Sequence, residues 1–333
     1  VLPYVRLEMS EEAVTEKKKI LIIGGVTAGP KAIARLRRLD EDLDITIVEK
    51  DVFLSYCACG LPLYVTDKVH SSRALISTAD TTIRDVNFFE SIENITVLNN
   101  TVALEIDREH KIVKTQNLQN KRMSELPYDV LILATGSESF VPKIPGIWQK
   151  GIYSLNNLEQ ADAIKIALSF EKTQDVSIIG GGLMGISAAE SLIEPGLRVT
   201  ILEERPHILF NLMDQNIAIK IQHELRKKGV KIITKLNIAK IERVKEHLLI
   251  MTTENDAYYA DLMILATDLK PNTVLAKQAG LEIGDTGGIR VSASLQTADE
   301  HIYAVGNCAE SINPITKKHE YWPLGSVSTK MGR

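Results

Sequence analysis

Two stretches of this chain carry the same local pattern: an aliphatic run, a cluster of glycines, a helical segment and, one strand later, a glutamate. The first is Ile20-Leu-Ile-Ile-Gly24-Gly25-Val26-Thr-Ala28-Gly29-Pro30, with Glu49 after Ile45-Thr-Ile-Val48. The second is Val176-Ser-Ile-Ile-Gly180-Gly-Gly182-Leu183-Met184-Gly185, with Glu203 lying 23 residues after Gly180. Glycines between strand and helix let backbone N–H groups approach a pyrophosphate, and an acid ending the next strand meets a ribose diol. The pattern predicts two dinucleotide sites, each on a βαβ unit. The second copy has glycine at all three fingerprint positions. The first has Val26 where the middle glycine usually stands, and Glu49 is what strengthens it. The bland alternative is a glycine-rich turn that binds nothing, and strand, helix and acid together weigh against it.

Bulk properties exclude several function classes. At 333 residues, 44% hydrophobic and 25% charged, the chain has room for two or three cored domains. A net charge of −4 makes no electrostatic case for nucleic acid or an anionic membrane. No run approaches the roughly 18–20 apolar residues of a membrane span, and residues 8–19 are too charged for a signal peptide. Three cysteines are too few for a secreted disulfide scaffold, so the expected compartment is the cytoplasm.

Periodicity and turn signals place a leader over 1–18 and an α/β chain after it. Lys19–Ile23 and Ile45–Glu49 are expected strands, with a helix over Pro30–Leu39 between them. Strands are also expected at Ile95–Leu98, Val102–Ile106 and Tyr128–Ala134, the last ending in Thr135-Gly136. Phe140–Gly151, with Pro142, Pro145 and Gly146, reads as a linker. The second unit then runs from a helix at Leu158–Phe170 to a strand at Leu262–Ala266, with Lys270-Pro271-Asn272 as a second crossover. His301–Val305 is a last strand, ending at Gly306-Asn307. The fold class is two nested Rossmann-like, three-layer domains: 19–150 with 270–333, and 151–269 between them.

Between the first acid and the next helix lies Ser55-Tyr-Cys57-Ala-Cys59-Gly60-Leu-Pro62. Cys59 is expected to open a helix, where N–H groups and the helix dipole would stabilise a thiolate. The alternatives are a small buried apolar residue or half a metal site. No second Cys pair or His-x-His cluster completes a metal site, so none is assigned. A carboxylate at Glu203 favours NADH over NADPH, a preference that nearby Arg205 softens.

Several segments together resemble the flavin-dependent pyridine nucleotide–disulfide oxidoreductases, in their single-cysteine branch. They are Gly24-Gly-Val-Thr-Ala-Gly-Pro-Lys31, Arg37-Arg-Leu-Asp40, Ser55-x3-Cys59-Gly-Leu-Pro62, Leu133-Ala-Thr-Gly136, the second fingerprint, Lys270-Pro-Asn-Thr273 and Gln296-Thr with Ile302-Tyr-Ala-Val-Gly306. The resemblance covers about residues 19–333. That branch tolerates the valine at 26, and it holds coenzyme A-disulfide reductases, NADH oxidases, NADH peroxidases and persulfide reductases.

The resemblance implies FAD at Gly24, Gly25, Val26, Ala28, Gly29, Pro30, Glu49, Lys50, Ser55 and Val102. Ala134, Thr135 and Gly136 would close over it, and Gly306, Asn307 and the loop Pro323-Leu324-Gly325 would complete the pocket. It implies NAD(H) at Gly180, Gly182, Leu183, Met184, Gly185, Glu203 and Asp268, and Cys59 as the redox thiol. It also implies a further C-terminal dimer-forming domain of roughly a hundred residues, with no counterpart here, so a homodimer is expected only with such a domain. The chain departs from the family at Asn307 (usually Asp), Ser187 (often Glu) and Asp268 (usually Gly). The expected function is electron transfer from NAD(P)H through FAD and Cys59 to a small disulfide, a persulfide or dioxygen. Two alternatives are a non-catalytic nucleotide-binding paralogue, on those substitutions, and a plain NAD-dependent dehydrogenase, disfavoured by the two fingerprints.

Overall fold

The computed structural model describes residues 16–170 and 173–333. Residues 1–15, most of the expected leader, lie outside the described residues.

Lys19–Ile23 is the centre of a five-stranded parallel sheet ordered Ile302–Ala304, Val130–Leu133, Lys19–Ile23, Asp44–Val48, Thr96–Leu98. Leu21 and Ile23 pack into one core cluster, and Ile20 and Ile22 into another. Both faces of the sheet are therefore covered, which is why the strand is a continuous aliphatic run rather than an alternating one. The second sheet repeats the plan: Ile152–Ser154, Leu262–Leu265, Asp175–Ile179, Arg198–Leu202, Lys231–Ile233. Val176 and Ile178 enter one cluster and Ile179 another.

The repeat extends beyond the sheets. Each carries a three-stranded antiparallel meander before the strand that ends in Ala-Thr. These are Thr101–Asp107, Ile112–Asn117 and Met123–Pro127 in the first unit, and Ile238–Val244, His247–Thr252 and Ala257–Ala260 in the second. The crossovers between units pair antiparallel, Ser137–Ser139 against Leu269–Pro271.

Among the described residues no helix is long and apolar enough to cross a membrane. A cavity of about 640 Å³ is lined by Asp175, Arg198 and Lys231, the first residues of their strands. It opens at the far end of the second sheet from the glycine loop.

Candidate functional site

Both glycine loops sit at the carboxyl end of a central strand, and they match bond for bond. Gly24 N–H donates to Val48 O and Gly180 N–H to Leu202 O, each at 2.9 Å. Gly25 N–H donates to Glu49 Oε2 at 2.5 Å, and Gly181 N–H to Glu203 Oε2 at 2.6 Å. Asp51 N–H donates to Glu49 Oε1 at 2.9 Å, and Arg205 N–H to Glu203 Oε1 at 2.8 Å. Ser55 and Leu209 answer each other, with φ of 54° and 55° and N–H bonds of 2.8 and 2.9 Å to Gly25 O and Gly181 O. Left-handed non-glycine residues are uncommon. Finding one at the same point of each loop shows that the turn, not the side chain, sets the conformation.

Each acid thus has a structural duty besides any ligand. Both are buried, 5% and 8% exposed. Each oxygen accepts one backbone N–H, which leaves further lone pairs for a sugar. Burial pushes the Glu49 carboxyl up, and the N–H groups of Asp51 and Gly25 hold it down.

Glycine is required where the loop meets the neighbouring strand. A Cβ on Gly24 would lie 2.1 Å from Ala134 O, and one on Gly180 2.4 Å from Ala266 O. Gly182 differs: a Cβ there meets nothing within 4 Å. The fold does not need that glycine, so the open space suits a ligand. At the matching position Val26 packs against the core cluster that includes Tyr56 and Leu61, which explains its place in a glycine loop.

The helices Ala28–Leu39 and Leu183–Ile193 begin at these loops, and neither Thr27 nor Gly182 supplies a side-chain cap. Their first-turn N–H groups face the loop mouths, the arrangement that receives a pyrophosphate. The structure therefore fits two dinucleotides on its own donors, without reference to sequence motif. Pro30 stands in the first turn of its helix, where a missing N–H costs nothing.

The remaining expected FAD-site residues converge on the first loop. Thr135 Oγ1 donates to Asn272 O at 2.7 Å, and Asn272 N–H to Gly136 O at 2.9 Å. Asn307 Nδ2 donates to Ser137 Oγ at 3.3 Å, and Asn307 Oδ1 accepts from Ser328 Oγ at 2.8 Å. Ser137 and Ser328 were not foreseen. Ser328 is 3% exposed in the helix Gly325–Met331, too short and polar to announce itself. Thr101 N–H bonds Glu49 O at 2.9 Å, which sets Val102 beside the first acid. Lys50 is exposed next to it, and Leu183 stands 48% exposed at the start of its helix. Met184 packs against a core cluster instead.

The thiol turn needs a correction. Cys59 does not open a helix: it is the middle residue of a 3-10 turn, Ala58–Gly60, followed by the five-residue helix Leu61–Val65. So short a helix has little dipole to offer. Cys59 is exposed at the surface, yet partial burial of its thiol, and then the neighbouring Cys57, push that thiol up rather than down. The two thiols face different neighbours. A Cβ on Gly325 would lie 3.9 Å from Cys59 Sγ, whereas a Cβ on Gly60 would lie 3.8 Å from Cys57 Sγ. Cys59 therefore abuts the Pro323-Leu324-Gly325 loop. Cys308 is buried, its thiol donating to Leu133 O at 3.2 Å, and is a packing residue.

The helix after Cys59 lies against the second unit. It packs on the helices Leu158–Phe170 and Leu183–Ile193. Tyr64 Oη donates to Asp162 Oδ1 at 2.5 Å, and Lys68 pairs with Glu194 at 2.5 Å. Two matched glycine–acid cradles, with the helix after the thiol turn packed against the second unit, are the arrangement of a two-dinucleotide fold. The pyridine nucleotide-disulphide oxidoreductase family matches residues 18–330, and the chain belongs to that family. A CoA-dependent NAD(P)H sulfur oxidoreductase of Pyrococcus abyssi is 32% identical over 316 residues, covering 95% of this chain and 68% of that protein. An NADH oxidase of Methanocaldococcus jannaschii is 30% identical over 315 residues, with the same coverage. The structure of an NAD-dependent persulfide reductase from A. fulgidus superposes with a TM-score of 0.90 at 38% identity, over 94% of this chain. This chain spans 57% of that structure's length.

Proposed function

We propose that this chain passes electrons from NAD(P)H to a small acceptor, a disulfide, a persulfide or dioxygen, with FAD on the first loop and the coenzyme on the second. The observation that carries the reading is the pair of matched glycine–glutamate cradles with one thiol turn packed between them. The FAD domain is taken as 19–150 with 270–333, and the NAD(P) domain as 151–269. The relatives named for sulfur, persulfide and NADH oxidation support this acceptor class.

When bound, FAD would supply the two-electron carrier between nicotinamide and sulfur. The chain's own residues do the rest. Ala28 and Gly29 present backbone N–H groups to one pyrophosphate, and Gly182 and Gly185 to the other, while Gly24, Gly25 and Gly180 shape the loops through their bonds to Val48, Glu49 and Leu202. Glu49 and Glu203 offer their remaining lone pairs to the ribose diols. Asn307, held by Ser137 and Ser328, presents a neutral amide where the family carries an aspartate. Cys59 faces the Pro323-Leu324-Gly325 loop as the thiol for the acceptor. The purified protein, denatured after incubation with FAD and washing, should release about one flavin per chain. Release of none would reject the reading.

A further inference from the structure

Among the differences between the two halves of the repeat, one pair of positions concerns charge. Two residues after the acid stand Asp51 in the first copy and Arg205 in the second. After the Ala-Thr that ends the flanking strand stand Gly136 and Asp268. Only in the second copy are the two positions oppositely charged, and there they meet. Arg205 Nη2 donates to Asp268 Oδ2 at 3.4 Å. Asn211 Nδ2 donates to the same oxygen at 3.4 Å, and Asn211 Oδ1 accepts from Arg205 Nη1 at 3.2 Å. The guanidinium also stacks 5.3 Å from the Phe210 ring centroid.

Sheet order says where this bridge lies. Arg198–Leu202 and Leu262–Leu265 flank Asp175–Ile179 on opposite sides. Side chains from beyond both neighbours therefore join over the mouth of the central strand, above the second glycine loop. A coenzyme crosses that crevice with its adenosine ribose at Glu203. A 2′-phosphate there needs a cation, and Arg205 is two residues past the acid.

Resting on the coenzyme reading above, we propose that Asp268 determines coenzyme specificity by position. It holds Arg205 in a bridge across the crevice, away from the 2′ position, so that the site favours NAD(H) over NADP(H). Arg205 acts on the ligand, and Asp268 acts through Arg205. The pair is solvent-exposed, with side chains 36% and 63% accessible, so its hold is weak and the discrimination it adds is about three- to fivefold.

Calorimetric titration with NAD+ and NADP+ tests this, since the two differ only in the 2′-phosphate and neither carries a hydride. Asp268→Asn should raise the NADP+:NAD+ affinity ratio about three- to fivefold. Asp268→Gly, which installs the first copy's residue, should do the same. In an Arg205→Ala background neither substitution should move the ratio. A ratio that stays put in both variants, or that moves equally with and without Arg205, overturns the proposal. Failure of the parent protein to bind either coenzyme rejects the coenzyme reading itself, and the proposal with it.

Discussion

Glu49 and Glu203 show how one residue type holds the fold and, on the proposed reading, a ribose as well. Each buried carboxylate pins the N–H after the first glycine and the N–H two residues beyond itself. Cys59 is the opposite case, a reactive group whose surroundings do not activate it by themselves. Thiolate, not thiol, is the reacting species, and burial raises this thiol above its ordinary range. Below a thiol's pKa each pH unit multiplies the thiolate tenfold. In flavin-free Cys57→Ser protein, alkylation of Cys59 should therefore climb without levelling from neutrality to about pH 9. A plateau below about pH 8 would show an activated thiol and contradict the account. With flavin bound, Cys59→Ser should remove disulfide turnover while Cys57→Ser keeps it, because Cys59 Sγ lies beside Gly325 whereas Cys57 Sγ lies beside Gly60. The reverse pattern in a turnover assay would reassign the thiol.

At the scale of elements, the two loops look alike in sequence but their glycines do different jobs. A Cβ on Gly185 would lie 2.1 Å from Gly180 O, a backbone atom that cannot step aside. Gly185→Ala should cost about 3 kcal/mol, the upper end for overpacking. Gly182 has φ −77° and open space. Gly182→Ala should leave the melting temperature within a few degrees of the parent and weaken NAD+ binding by tenfold or so, since the methyl would sit where backbone must approach pyrophosphate. Equal losses of stability in the two variants would mean that the open space at Gly182 is not a ligand's. These jobs were half legible in the sequence. Strand, glycine and acid spacing located both loops, and the helix at Leu158–Phe170 has the bounds the periodicity implies. The meander strands Met123–Pro127 and Ala257–Ala260 leave little trace in the sequence, because they are short and largely exposed, with only Leu126 turned inward in one and Tyr258 and Ala260 in the other. Ser137 and Ser328 were hidden for a similar reason: a hydroxyl that braces Asn307 has no periodic signature. The thiol turn escapes the sequence because a 3-10 turn and the start of an α-helix look the same in Cys59-Gly60-Leu61-Pro62.

The whole molecule is a duplicated frame with one asymmetry of purpose. After Ser55 the first copy runs into the thiol turn and the helix Leu61–Val65, which packs on the second unit. After Leu209 the second copy runs through Asn211, which braces Arg205 and Asp268. On the proposed reading one loop leads to the thiol and the other to coenzyme choice, while paired crossovers at Ser137–Ser139 and Leu269–Pro271 tie the units together. Tyr64, Lys68 and Lys165 add bonds to Asp162, Glu194 and Asp67 across the same junction. On the proposed reading the two cradles work as one electron path. The most direct measurement is anaerobic addition of NADH to the FAD-loaded chain while the flavin absorbance is followed. The flavin band should bleach with about one equivalent of NADH, faster than with NADPH. A flavin-loaded protein that binds NADH and stays yellow would contradict it.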